Sequence, residues 1–147
     1  MSLSSLCATG FVLSLALAGP LCACTSAAKG ETAALASAVD RYRRAEASGK
    51  EAAGRALGGV ACTDPRVCEA RRACVAAVEP TVRALALKDE VTRRLADVEQ
   101  KRLAPDSPEA MALPDKLDEA QRLLEEGRSH QADCDARLAA LQLAVGS

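Results

Sequence analysis

Aromatic side chains are almost absent. They make up 1% of the 147 residues, Phe11 and Tyr42 are the only two, and there is no tryptophan. A buried ring contributes about 150–250 Å² to a core, so here Ala, Leu and Val must do that work. Such side chains suit close helix–helix contact better than a thick globular core. An excess of one charge is also missing. Nineteen basic and 20 acidic residues leave a formal net charge of −1, which gives no reason to expect a nucleic-acid binder with its concentrated basic face. No nucleic-acid partner is expected, and the mixed charge reads as a solvated surface. Histidine is reduced to His130, and a lone helical histidine lacks the partner and pocket that a general base needs. Gly-rich phosphate loops, nucleophile elbows and metalloprotease motifs are absent. The carboxylate pairs Glu125/Glu126 and Asp133/Asp135 fall on charged helix faces. An enzyme is therefore not expected, and no cofactor is called for. The missing C-x-x-C and C-x-x-C-H patterns speak against dithiol redox chemistry, a zinc ribbon and covalent haem. No repeat of solenoid length is visible.

Charge is also absent from residues 3–24. Phe11-Val12-Leu13-Ser14-Leu15-Ala16-Leu17-Ala18 is a compact apolar run, Gly19-Pro20 breaks it, and small residues follow. That is the layout of a secretory signal. The run is near the lower limit for a spanning helix, about 17–25 residues. The next four residues, Leu21-Cys22-Ala23-Cys24, resemble the lipobox of bacterial lipoproteins. The resemblance implies a diacylglycerol thioether on Cys24, which becomes the first mature residue and anchors the chain in membrane lipid. Thr25 in place of Asp favours the outer membrane, facing the periplasm. Unlipidated cleavage near Ala23 or Ala28, or an uncleaved anchor, are the alternatives, and each leaves the rest of the chain outside the cytoplasm. The expected organisation is a signal peptide over 1–23, a lipidated tether over 24–31 and a helical domain over 32–147.

Three periodic segments fill that domain. The first, about 32–57, places Leu35, Val39, Tyr42, Ala45, Gly49, Ala52 and Ala56 on one face and ends at Gly58-Gly59. The second opens with Asp64-Pro65, an N-cap followed by a proline suited to the first turn. It carries Val67, Cys74, Val78, Leu85, Val91, Leu95 and Val98 on a broad face. Pro80 should kink it, and it should end near Ala104-Pro105. The third repeats the cap pattern at Ser107-Pro108. Its seam alternates spacings of four and three through Leu113, Leu117, Ala120, Leu124, Gly127, Gln131, Cys134, Leu138, Leu141 and Val145. A turn near Asp106 makes segments two and three antiparallel. Counting outward from Ala104 opposite Ser107 sets Leu117 near Leu95, Gln131 beside Pro80, and Cys134 within about one turn of Cys74. The fold class is all-α: an elongated three-helix bundle built on a long antiparallel helical hairpin and stapled by disulfides.

Outside the cytoplasm the cysteines of the domain should pair. With Cys24 lipidated, Cys62, Cys68, Cys74 and Cys134 remain. A Cys74–Cys134 bridge would join the long helices, and a local Cys62–Cys68 bridge would span the cap of the second. Three pairings are open, including Cys62–Cys134 and Cys68–Cys134. The competing reading is a metal or ligand site that uses these thiols with His130, four residues before Cys134 on one face. The leading expectation is a non-catalytic interaction or scaffold module with a protein partner in the cell envelope.

Overall fold

A computed structural model describes the backbone of residues 21–146 and the side chains of residues 27–146. The apolar run 11–18 and the secretory-signal reading lie outside the described residues. So does the Cys24 side chain.

The described chain is all-α. It comprises α1 (Leu21–Arg44), α2 (Ala47–Gly58), α3 (Pro65–Glu99), the single turn α4 (Pro108–Met111) and α5 (Leu113–Gly146). The long helices α3 and α5 form the antiparallel hairpin. Glu69 pairs with Arg137, Cys74 with Cys134 and Glu90 with Lys116 across it. α1 and α2 pack along only one part of this hairpin. Leu35, Ala38, Val39 and Tyr42 of α1 and Leu57 of α2 share a core with Val67, Ala70, Cys74, Ala77 and Val78 of α3. Cys134, Leu138 and Leu141 of α5 close it. A second, smaller core of Ala84, Ala120 and Leu123 draws on α3 and α5 alone.

The N-terminal arm differs from the single helix expected over 32–57. It breaks at Ala45 and Glu46, with Glu46 extended as the N-cap of α2. The break is held from the far side. Lys50 in the first turn of α2 donates to the carbonyl oxygens of Tyr42 (2.6 Å) and Arg43 (3.2 Å), and its ammonium lies 4.5 Å from the Tyr42 ring centre. These carbonyls are among those that a helix end leaves without partners. The break also rephases the buried face, so that Leu57 is fully buried while Ala52 and Ala56 are exposed.

Helix α1 also begins earlier than Thr32. Residues 25–30, expected as a flexible tether, are helical. Ala27, Ala28 and Lys29 are good helix formers, Ala28 is buried, and Glu31 ties the helix to the loop before α3. Its carboxylate accepts from the backbone N–H groups of Thr63 (2.9 Å) and Asp64 (3.1 Å) and from the Thr63 hydroxyl (2.6 Å).

At the start of α3 the expected cap forms, with the Asp64 carboxylate accepting from the Arg66 N–H at 2.8 Å. Its end comes earlier than Ala104-Pro105. Lys101 takes a left-handed conformation, φ 58°. The N–H of Arg102 reaches the Asp97 carbonyl (2.8 Å) and that of Lys101 the Val98 carbonyl (3.0 Å). This is the Schellman arrangement, built without its usual glycine. The turn therefore consumes more residues than the count from Asp106 allowed, and the register shifts by about one helical turn. Gly127, not Gln131, lies against α3 near Pro80. A Cβ on Gly127 would stand 2.5 Å from Thr81 Oγ1 and 2.8 Å from the Ala77 carbonyl oxygen. Gln131 instead donates to Asp135 at 3.1 Å. α3 runs through Pro80 as one helix.

Candidate interaction surface and disulfide framework

Two cysteine pairs are joined. Cys62–Cys68 spans the first turn of α3 with a Cα separation of 5.3 Å, and Cys74–Cys134 bridges α3 to α5 at 4.5 Å. The α3 cap turns the chain sharply enough to bring Cys62 back over Cys68. The bridge between the helices is buried in the main core, while the capping bridge is half-buried at its edge. All four thiols are thus consumed. The competing metal reading loses its sulfur ligands, because Cys134 faces Cys74 while His130, one turn away, is exposed. No cluster of three or more His, Cys, Asp or Glu side chains suited to a metal occurs among the described residues.

Three carboxylates of the sequence pairs have side-chain partners. Asp133 accepts from Arg137, Asp135 from Gln131 and Arg43, and Glu125 from Gln121. These are surface pairs, which contribute little to stability. Between α2 and α3 lies a groove of about 300 Å³ lined by Val75, Val78 and Val82, with the charged side chains of Glu51, Arg55, Glu79 and Arg83. Gly54 brings α2 close here, since a Cβ on it would stand 3.1 Å from Val78 and 3.2 Å from Val82. Gly54 lies off the face read from the sequence, whose Ala52 and Ala56 are exposed, and it is the residue that lets α2 approach α3. Tyr42 lies behind this contact. Burial pushes its phenol pKa up, and its hydroxyl faces Thr81 without forming a well-shaped hydrogen bond.

The outer half of the hairpin is built differently. Beyond the main core, the second core is drawn from α3 and α5 alone. Ala84, Val91, Leu113, Ala120 and Leu123 are buried between the two helices, whereas Leu95 is 48% and Leu117 44% exposed. Sequence periodicity put Leu95 and Leu117 opposite each other in the seam and omitted Leu123. The shifted register separates the first two, and Leu123 is buried with Ala84 and Ala120. Glu90 and Lys116 pair beside this layer, and the Lys116 ammonium holds the Glu90 carboxyl below its ordinary range.

No known protein family, curated protein or solved structure matches the chain.

Proposed function

We propose that this chain is a lipid-anchored protein of the bacterial cell envelope, acting as a non-catalytic interaction or scaffold module through the projecting half of its α3–α5 hairpin. The lipid site is Cys24, in the lipobox-like Leu21-Cys22-Ala23-Cys24, and the favoured location is the outer membrane, facing the periplasm.

The observation that carries the reading is the opposition of the two ends. Glu31, near the start of α1, is bonded to Thr63 and Asp64 at the foot of α3. Leu35 shares a core with Val67 and Leu141. The start of α1, the foot of α3 and the end of α5 therefore lie together, and the 100–107 turn lies at the other end of a hairpin about 50 Å long. An anchor on Cys24 would hold the foot at the membrane and carry Leu95 and Leu117 away from it. With no flexible tether between anchor and bundle, the arm would be presented in a defined direction. The two disulfides suit an oxidising compartment.

Intact mass of the protein purified from membranes of its host tests the reading. A chain that begins at lipidated Cys24 and gains four hydrogens on reduction, two for each bridge, is the expected result. An unlipidated mass would remove the anchor. Cross-linking in intact cells from positions 95 and 117 should capture an envelope protein, and a chain recovered only as a monomer would overturn the scaffold role.

A further inference from the structure

The two bridges differ in access. Cys74 and Cys134 lie between α3 and α5 and are 0% and 2% exposed. A thiol reaches their sulfurs only when the two helices part. Cys62 and Cys68 are half-buried at the edge of the core, and Ala61, Thr63, Pro65, Arg66 and Glu69 around them are exposed. The C-x-x-C pattern is missing from the sequence, but the cap of α3 brings this pair, six residues apart, to a Cα separation of 5.3 Å. That approach is also held without the bridge. The 59–64 connection is fastened on both sides of Cys62. Before it, the Arg71 guanidinium donates to the Val60 carbonyl oxygen at 2.5 Å. After it, the Glu31 carboxylate accepts from the Thr63 N–H and hydroxyl and from the Asp64 N–H. Asp64 caps α3, and the Cys68 N–H is bonded to the Asp64 carbonyl oxygen at 3.0 Å. These contacts keep the two sulfurs within reach of each other after the bridge opens.

We propose that Cys62–Cys68 is a reversible redox couple that opens and closes on the folded protein, while Cys74–Cys134 is a permanent staple. Accessible bridges are the labile ones, and buried structural bridges resist reduction. The reductant is a dithiol. One of its thiolates attacks a sulfur of the bridge, forms a mixed disulfide and releases the other cysteine as a thiolate, which takes up a proton. The second thiolate of the reductant then attacks its own chain's sulfur in the mixed disulfide. That step closes the reductant's disulfide and releases the second cysteine, which is protonated in turn. The protein gains two electrons and two protons, and the dithiol loses the same. A disulfide oxidant runs the steps backward. The couple does not depend on the Cys24 anchor, and it needs no movement of α3 against α5.

The full protein with both bridges formed is treated with graded dithiothreitol and no denaturant. Free thiols are then capped with N-ethylmaleimide, and the masses of the whole chain and of its peptides are compared with a sample that received no reductant. A species with two added maleimides, placed at Cys62 and Cys68, should form at least about tenfold faster than any with four. The helical circular dichroism should stay unchanged, and oxidised glutathione should restore the same pair. Opening of both bridges together, opening of Cys74–Cys134 first, resistance of both until denaturant is added, or loss of helix on opening would each overturn the couple. Glu31→Gln, which weakens the fastening beside Cys62, should slow re-closure several-fold and leave Cys74–Cys134 intact. Re-closure at the parent rate would overturn the claim that the fold holds the pair together. Lipidation is read from the mass of the untreated chain, so the anchor and the couple stand or fall separately.

Discussion

Replacing Gly127 with alanine should destabilise the protein, although alanine is the better helix former. The gain expected from propensity in a helix interior is about 1 kcal/mol. Against it, a Cβ on Gly127 would stand 2.5 Å from Thr81 Oγ1 and 2.8 Å from the Ala77 carbonyl oxygen. The hydroxyl can rotate, at the loss of its own bond to Ala77. The carbonyl belongs to the α3 backbone and moves only with it. Overpacking of this kind costs about 1–3 kcal/mol. With a backbone atom among the obstacles the upper part of that range applies, for a net loss of about 2 kcal/mol. Gly30, also inside a helix, has nothing within 4 Å of its Cβ direction, so Gly30→Ala should stabilise by up to about 1 kcal/mol. In a domain of this size 1 kcal/mol corresponds to about 4 °C in Tm. Thermal unfolding followed by circular dichroism should thus place Gly127→Ala about 8 °C below the parent and Gly30→Ala up to about 4 °C above it. A Gly127→Ala protein as stable as Gly30→Ala would refute the close approach of α5 to α3 at Ala77 and Thr81, and with it the observed register.

Three further outcomes follow from the same geometry. Removing the bridge that closes a separation of 60 residues, by Cys74→Ala with Cys134→Ala, should cost about 4 kcal/mol in urea unfolding. Removing Cys62–Cys68, which closes only 6, should cost about 2 kcal/mol, and a reversed order would contradict the chain-entropy account. Lys101→Gly should raise the urea midpoint, since the left-handed position at φ 58° costs an L-residue roughly 1 kcal/mol that glycine avoids; an unchanged midpoint would count against the Schellman turn. Acid should loosen the foot of the bundle. The Thr63 hydroxyl and the Thr63 and Asp64 amides hold Glu31 below its ordinary 4.5, and Arg66 holds Asp64 down to about 2. Both carboxyls bind protons more weakly folded than unfolded, so their stabilisation is complete above about pH 4.5 and is lost as pH falls toward 2. Glu31→Gln should flatten the upper part of that profile, and an unaltered acid limb would contradict the clamp.

Much of the architecture was legible as pattern. The Asp64-Pro65 and Ser107-Pro108 starts are local signals, and both form caps in the fold, with Ser107 accepting from the Ala110 N–H at 3.2 Å. The spacing of Leu35, Val39 and Tyr42 marked the buried face of α1 correctly, because three turns of one helix keep a constant phase. The break after Arg44 was not legible. Ser48-Gly49 is only a weak interruption, and the decisive contact runs from Lys50 back across the turn to Tyr42 and Arg43. The end of α3 was misplaced for a related reason. Glycine is the usual mark of a left-handed helix end, and Lys101 occupies it with only the backbone bonds of Arg102 and Lys101 to reveal it.

By itself the sequence determined the class of the protein: all-α, poor in aromatics, balanced in charge, with a hairpin of two long amphipathic segments. These properties follow from composition and periodicity, which are local and survive an error of several residues in any boundary. The tertiary structure alone decided the register of that hairpin. An antiparallel pair of helices carries the position of its turn along its whole length, so the early stop at Glu99 moved Gly127 onto Ala77 and Thr81 and left Leu95 and Leu117 half in solvent. It also decided that the start of α1 and the end of α5 share one pole. Those stretches are more than one hundred residues apart in the chain, and only the packing of α1 against the foot of the hairpin brings them together.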